Sequence, residues 1–320
     1  MPYTNPTWWC DHPRGSTFLE NGDAPLLKDQ QGIPVKEIYG ANDGWSLCTF
    51  HPAALTAEEK ILDQFSRLYP SDILFQDQIG ARGPMYDFNP SSPTPYAYTQ
   101  GMMNIAYRDS AVLPLGTENG FDAVINSETL FCGDVWNIIP TQYSPSWAQL
   151  WRQKYPANTW RLDPMALWLG HDHVIFTMHD LGQFVTNHEV LTWVLGMGYH
   201  ISAVTTADAL QNPENKQWID WLAALQKAIG PFLDGAKLEY WEEPSPGVYS
   251  SKWGDLSIIA NTSLMPYTVS KKIVISPHGF YVTGNRIAAG WLDKYDGRSY
   301  PDGFAFVRYG AQSAIYKTGK

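Results

Sequence analysis

Three acidic residues each close a short apolar run. Ile73-Leu74-Phe75 leads into Gln76-Asp77-Gln78, Ala111-Val112-Leu113-Pro114-Leu115 into Gly116-Thr117-Glu118-Asn119, and Val174-Ile175-Phe176-Thr177-Met178 into His179-Asp180. Carboxyl groups gathered over one pocket suit cleavage of a glycosidic bond. That chemistry needs one ionised carboxylate beneath the anomeric carbon and one protonated carboxyl at the leaving oxygen. A third acid can hold sugar hydroxyls and stabilise an oxocarbenium-like state. Like charges and aromatic cover would raise the pKa of the acid while its neighbour stays ionised. Taken singly, an acid after a strand is more often a turn former or helix cap. The recurrence is what favours chemistry.

The elements that must position these acids read as strands alternating with helices. Thr56-Ala57-Glu58-Glu59 opens a helix in capping-box fashion, with Ile61, Leu62, Phe65 and Leu68 at helical spacing. Helical stretches follow around Tyr96 to Tyr107, from Ser144-Pro145-Ser146-Trp147 to about Tyr155, and over Asp163 to Leu169, Asn187 to Leu195 and Gln211 to Ile229. The strand runs are continuously apolar, as in a parallel sheet covered by helices. A (β/α)8 barrel spends roughly 31 residues per unit, and its active face lies at the C-terminal strand ends. Glu118 follows Asp77 by 41 positions and Asp180 follows Glu118 by 62. Those intervals fit one unit and two units, so all three acids would converge over one mouth.

From about Gly235 the texture changes to short strand-like runs separated by turns such as Asp296-Gly297 and Asp302-Gly303. That pattern predicts an antiparallel β-sandwich. The expected organisation is a barrel over residues 1–234 and a β-sandwich over residues 235–320.

Phe75-Gln76-Asp77-Gln78-Ile79-Gly80-Ala81-Arg82 and Leu115-Gly116-Thr117-Glu118-Asn119-Gly120-Phe121-Asp122 resemble a family of barrel glycoside hydrolases. That family is related to the endo-α-N-acetylgalactosaminidases and, more distantly, to the α-amylase superfamily. The resemblance is clearest over residues 70–205. It implies a retaining glycosidase acting on α-linked sugars, with Asp77 at the end of strand 4 as nucleophile and Glu118 at the end of strand 5 as acid/base. It also implies that His179 and Asp180, at the end of strand 7, grip the sugar. The superfamily usually carries Arg two residues before the nucleophile; Phe75 stands there, and Arg82 is the candidate substitute as a sugar or carboxylate ligand. Asn119, beside Glu118, and Trp8 and Tyr86, on expected loops near the active face with Trp9 and Trp45, are candidates for substrate contact. If Asp77 ends strand 4, Met1 to Pro6 ends strand 3, and the first two strands have no sequence. The chain is then expected to be the C-terminal part of a longer enzyme.

The chain has 320 residues and a net charge of −10, with 44% hydrophobic and 17% charged residues. Roughly 25% charged is usual, so intrinsic disorder is excluded, as is a basic nucleic-acid-binding surface. No run reaches the ~18 apolar residues of a membrane helix, and Met1 to Cys10 shows no secretory leader. Aromatics make up 14%, including 14 Trp, enough for a large core or for a cleft that stacks on sugars. Trp147, Trp151, Trp218 and Trp221 have helical spacing and are expected in the core. Cys10, Cys48 and Cys132 form neither a disulfide framework nor a zinc site. His171-Asp172-His173 has a two-apart spacing seen in some metal sites, but core or helix-end histidines fit better. No cofactor or metal is implied, and the expected partner is an oligosaccharide or glycoside. Two competing readings are a carbohydrate-binding remnant without catalysis and a metal-dependent hydrolase built on His171 and His173.

Overall fold

The structure, a computed structural model, describes residues 1–11, 16–68, 71–133, 138–140, 146–156, 159–178 and 184–316. It comprises two compact units, Met1–Cys132 and Gly133–Lys320. It is a mixed α/β chain with a parallel sheet and a large antiparallel sheet.

The N-terminal unit runs β1 (Tyr3–Thr4), β2 (Trp8–Cys10), α1 (Ser16–Asn21), β3 (Lys36–Tyr39), β4 (Asn42–Ser46), α2 (Pro52–Asp63), β5 (Leu74–Gln76), α3 (Tyr98–Ser110), β6 (Leu115–Glu118) and β7 (Leu130–Cys132). Parallel pairing follows the order β1-β5-β6-β7. Leu74, Phe75 and Gln76 are all buried, as expected of a strand covered on both faces. β2, β4 and β3 form a separate antiparallel sheet. Trp8, Trp9 and Trp45, expected on loops, are therefore strand residues, with Trp9 opposite Trp45. Aromatic side chains suit such a half-buried pleat.

Two local expectations are corrected. α2 begins one turn before the capping-box residues: Pro52 takes the first turn and the His51 ring accepts the Ala53 N–H at 3.2 Å. Proline is favoured there because its missing donor would be unpaired anyway. Ala111 to Pro114 is not strand but the turn after α3, with Val112 52% exposed. The strand starts only at Leu115, past a proline that cannot donate to a ladder. α3 buries Tyr98, Met102, Ile105 and Asp109 on one stripe.

In the C-terminal unit α4 (Trp147–Lys154), α5 (Met165–Gly170), β8 (Ile175–Thr177), α6 (His188–Gly196), α7 (Ala207–Gln211) and α8 (Pro213–Leu233) precede nine antiparallel strands. These are β9 (Leu238–Ser245), β10 (Val248–Trp253), β11 (Leu256–Asn261), β12 (Tyr267–Ser270), β13 (Ile273–Ile275), β14 (Gly279–Gly284), β15 (Ile287–Tyr295), β16 (Arg298–Tyr309) and β17 (Gln312–Tyr316). α6 is buried at every position from Val190 to Gly196, the mark of a helix enclosed on all sides. It packs on β10, β11 and β14. α8 is capped by Asn212, whose side chain accepts the N–H groups of Glu214 and Asn215. β15 is a fork. Along one edge Ile287 to Gly290 pair with β14 and Leu292 and Lys294 with β13, while the other edge pairs with β16. A strand that shares its two halves between neighbours is how one sheet turns a corner into a second layer.

The core expectation fails for Trp147 and Trp151, which are 47% and 48% exposed. α4 buries its Ala148 face instead. It holds for Trp221 at 2% exposed. Asn261, in the Asn261-Thr262-Ser263 triplet, is fully buried and its amide donates to Met265 O and Ser276 O at 2.8 and 2.9 Å. The amide ties the end of β11 to the chain at Met265 and Ser276.

Candidate active site

The parallel register sets the geometry of the acids. Leu74 pairs with Leu115, Phe75 with Gly116 and Gln76 with Thr117. One step on, Asp77 lies level with Glu118. The ladder still reaches that level, because Asp77 N–H donates to Thr4 O at 2.8 Å and Glu118 pairs with Cys132. Adjacent strands are about 4.8 Å apart, so the two acids sit side by side on neighbouring strands.

Their facing follows from the residue before them. Gln76 points to the helices: its amide donates to Glu58 of α2 at 3.1 Å and to Asp109 of α3 at 2.7 Å. Side chains alternate along a strand, so Asp77 and Glu118 project from the opposite face. Asn5 Nδ2 donates to Asp77 Oδ2 at 3.1 Å, and Asn5 Oδ1 in turn accepts from Thr7 N and Oγ1.

The backbone turns sharply after each acid. Gln78 has φ 66° and Asn119 φ 53°, left-handed values that cost Gln78 roughly 1–2 kcal/mol and that asparagine tolerates better. Strain of this kind gathers at functional sites. A hydroxyl clip braces both turns. Thr117 Oγ1 donates to Gln76 O at 2.9 Å and accepts Gly80 N–H at 2.8 Å. Gly120 N–H then donates to Gly80 O at 3.1 Å, and Asn119 N–H to Cys132 O at 2.6 Å.

Arg82 closes the loop that follows Asp77. Its guanidinium forks onto Glu37, with Nη1 at 3.0 Å from Oε1 and Nη2 on Oε2, while Nε donates to Thr7 Oγ1 at 2.9 Å and Gln78 Oε1 at 3.0 Å. Burial opposes the Glu37 charge, but the Arg82 guanidinium outweighs it and holds that carboxyl below its usual range. Arg82 is thus a carboxylate ligand whose partner is Glu37, and it ties the Asp77 loop to β3.

Further acids are buried in this unit, none of them among the expected site residues. Burial first, then the Asp109 charge, pushes Glu58 up to about 7. Glu128, with no hydrogen-bond partner among the described residues, is pushed up to about 8 by burial and then by Asp109. Asp109 is itself raised by burial, although Arg108 Nε donates to it at 2.7 Å.

Of the residues expected at the site, Asp77, Glu118 and Asn119 come together. Arg82 sits in the turn beyond Asp77. Trp8 belongs to β2 and its ring lies against Gly44, where a Cβ would be 2.1 Å from it. Tyr86 is 63% exposed and stands edge-on to Tyr96 at 5.2 Å, beside a separate cavity of about 710 Å³. His179 and Asp180 lie outside the described residues. His171 has Nδ1 2.8 Å from Ala236 O and Nε2 2.9 Å from Gly198 O, so both ring nitrogens face carbonyl oxygens. Asn5 and Thr117 were missed. The only local signal was the turn-forming Asn5-Pro6-Thr7 after β1.

No family model and no curated protein sequence matches the chain. Solved glycoside hydrolases match its fold. An α-N-acetylgalactosaminidase of Bifidobacterium bifidum is similar over 88% of this chain and 42% of its own, with TM-score 0.57 and 12% identity. A GH31 family sulfoquinovosidase of E. rectale is similar over 88% of this chain and 48% of its own, with TM-score 0.53 and 9% identity. For a maltogenic α-amylase of Thermotoga neapolitana the shares are 98% and 75%, with TM-score 0.51 and 9% identity. The chain spans less than half the length of the first two. At these identities the likeness is one of fold.

Proposed function

We propose that the chain carries the catalytic face of a retaining glycoside hydrolase acting on α-linked sugars, built on a (β/α)8-type barrel. Asp77 attacks the anomeric carbon. Glu118 protonates the leaving oxygen and then, as a carboxylate, activates the water that releases the sugar. Asn119 and Arg82 shape the rim, and His179 and Asp180 are the proposed sugar grip. The observation that carries this reading is the shared register of Asp77 and Glu118 at the C-terminal ends of adjacent parallel strands, on the face away from the helices. Neighbouring strands favour the short carboxyl spacing of retention, about 5–5.5 Å, over the roughly 6.5–9.5 Å of inversion. The similar folds include an α-N-acetylgalactosaminidase and an α-amylase, which is the ground for choosing α-linkages. The reading keeps residues 1–234 as the barrel and 235–320 as the β-sandwich, and takes the chain as part of a longer enzyme.

The test uses 4-nitrophenyl α-glycosides of N-acetylgalactosamine, galactose and glucose. Asp77→Asn and Glu118→Gln should each cut turnover by about 10³-fold or more while leaving the melting curve in place. NMR of the first product should show the α-anomer. Undiminished turnover after either change, or a β-anomer product, defeats the assignment. Sugar binding with no turnover in the native chain would favour the carbohydrate-binding reading.

A further inference from the structure

The catalytic proposal leaves a large part of the tryptophan unused. In the C-terminal unit Trp147, Trp151 and Trp168 are all exposed, Trp168 by 40%. Trp147 stacks on Trp151 at 6.4 Å, and Trp151 meets Trp160 edge-on at 5.7 Å. Trp160 and Trp168 join Trp241 around a cavity of about 490 Å³. A tryptophan side chain carries roughly 150–250 Å² of mostly apolar surface. Several left in water over one short stretch mark a contact surface.

The walls are held in place before any ligand arrives. Trp241 Nε1 donates to Leu162 O at 3.3 Å. The Arg152 guanidinium lies over the Trp160 ring at 4.5 Å and pairs with Glu243, which also accepts Gly247 N–H at 2.7 Å. Fixed walls spare the ordering cost of binding.

The charges select the ligand. Arg152 pairs with Glu243, Arg161 stands 3.9 Å from Asp163, and Glu242 also lines the cavity, so two guanidinium groups and three carboxylates surround it. A strongly charged ligand would meet both signs at once. A neutral polyol meets no such penalty. Its hydroxyls can donate to the carboxylates and accept from the guanidinium groups, while its C–H face lies on indole. A second cavity of about 380 Å³ shares Arg152 and Pro246 with the first, so there is space beside the first for a further ring.

We propose that this groove binds a neutral oligosaccharide non-catalytically, by stacking pyranose rings on Trp160, Trp168 and Trp241. All of its lining lies in the C-terminal unit, and it needs no role for Asp77 or Glu118.

Calorimetry on the full chain carrying Asp77→Asn tests this, with maltohexaose, cellohexaose and xylohexaose as probes. The expected result is saturable binding of at least one, weakened by about tenfold or more when Trp168→Ala or Arg161→Ala is added. Both side chains are exposed enough for the fold to survive, which circular dichroism checks. In the otherwise native chain Trp168→Ala should leave hydrolysis of small aryl glycosides unchanged. Absence of saturable binding to all three probes, equal affinity after Trp168→Ala, or tighter binding of tetramethylammonium than of any sugar overturns the proposal. Binding that depends on Trp168 in a chain without turnover would sustain the groove while removing the catalytic reading.

Discussion

Glu128 shows how far burial shifts a single group. Its folded pKa is raised to about 8 from 4.5. Below about pH 4.5 both folded and unfolded chains hold the proton, and its contribution is fully present. Between about 4.5 and 8 the unfolded chain releases the proton while the folded chain keeps it, so stability falls as pH rises, levelling above 8. Glu128→Met, which removes the group at similar length, should therefore stabilise the protein at pH 8 by on the order of 2–4 kcal/mol and far less at pH 4.5. Urea midpoints at the two pH values check this, and equal differences at both would refute it. The candidate acids Asp77 and Glu118 were legible because each ends an apolar run. Their supports were not. Arg82 finds Glu37 at 45 positions' distance and Asn5 finds Asp77 at 72, pairings that only the tertiary fold creates. The burial of Glu58 and Glu128 was not legible either, since nothing local announces which residues the sheet and its neighbours will cover.

At the scale of elements, the ends of β5 and β6 are locked by close backbone contact. A Cβ on Gly80 would lie 2.6 Å from Thr117 Cγ2, 2.8 Å from Glu118 O and 2.9 Å from Gly120 Cα. Two of those three atoms are backbone and cannot swing aside. Gly80→Ala should cost about 1–3 kcal/mol of stability and, by shifting Glu118, reduce aryl-glycoside turnover more than the melting point suggests. A variant with native turnover would show that the two turns move independently of the acids. Strands β5 and β8 were readable because continuous apolar residues leave little choice of state, whereas β6 overlaps the apolar run expected for it only at Leu115. The start of α2 was misread because Thr56 and Glu59 have cap spacing, yet Pro52 and His51 supply a stronger start one turn earlier. Val112 and Leu113 misled in the same way: their β propensity is overridden by the end of α3 and by Pro114.

For the whole molecule, an excess of acid gives a net charge of −10 and an isoelectric point near 5.2. The chain should bind an anion exchanger at pH 7 and be least soluble near pH 5, where self-repulsion vanishes; a turbidity minimum at pH 5 would contradict this. The change from alternating helices and strands to strands alone was readable near Gly235, because turn residues recur there at short intervals. The forked pairing was not, since Ile287 to Tyr295 look like any other apolar strand. That fork has a consequence for how the chain matures on the ribosome. β9, β10 and β11 can zip as they emerge, and β12 can pair with β13, but β13 then waits, unpaired on its other side, until Leu292 and Lys294 of β15 arrive some 17 to 20 residues later. During that interval Ile273 and Ile275 are sticky tape without backing, so slowed translation across residues 273–295 should leave nascent chains prone to mutual entanglement.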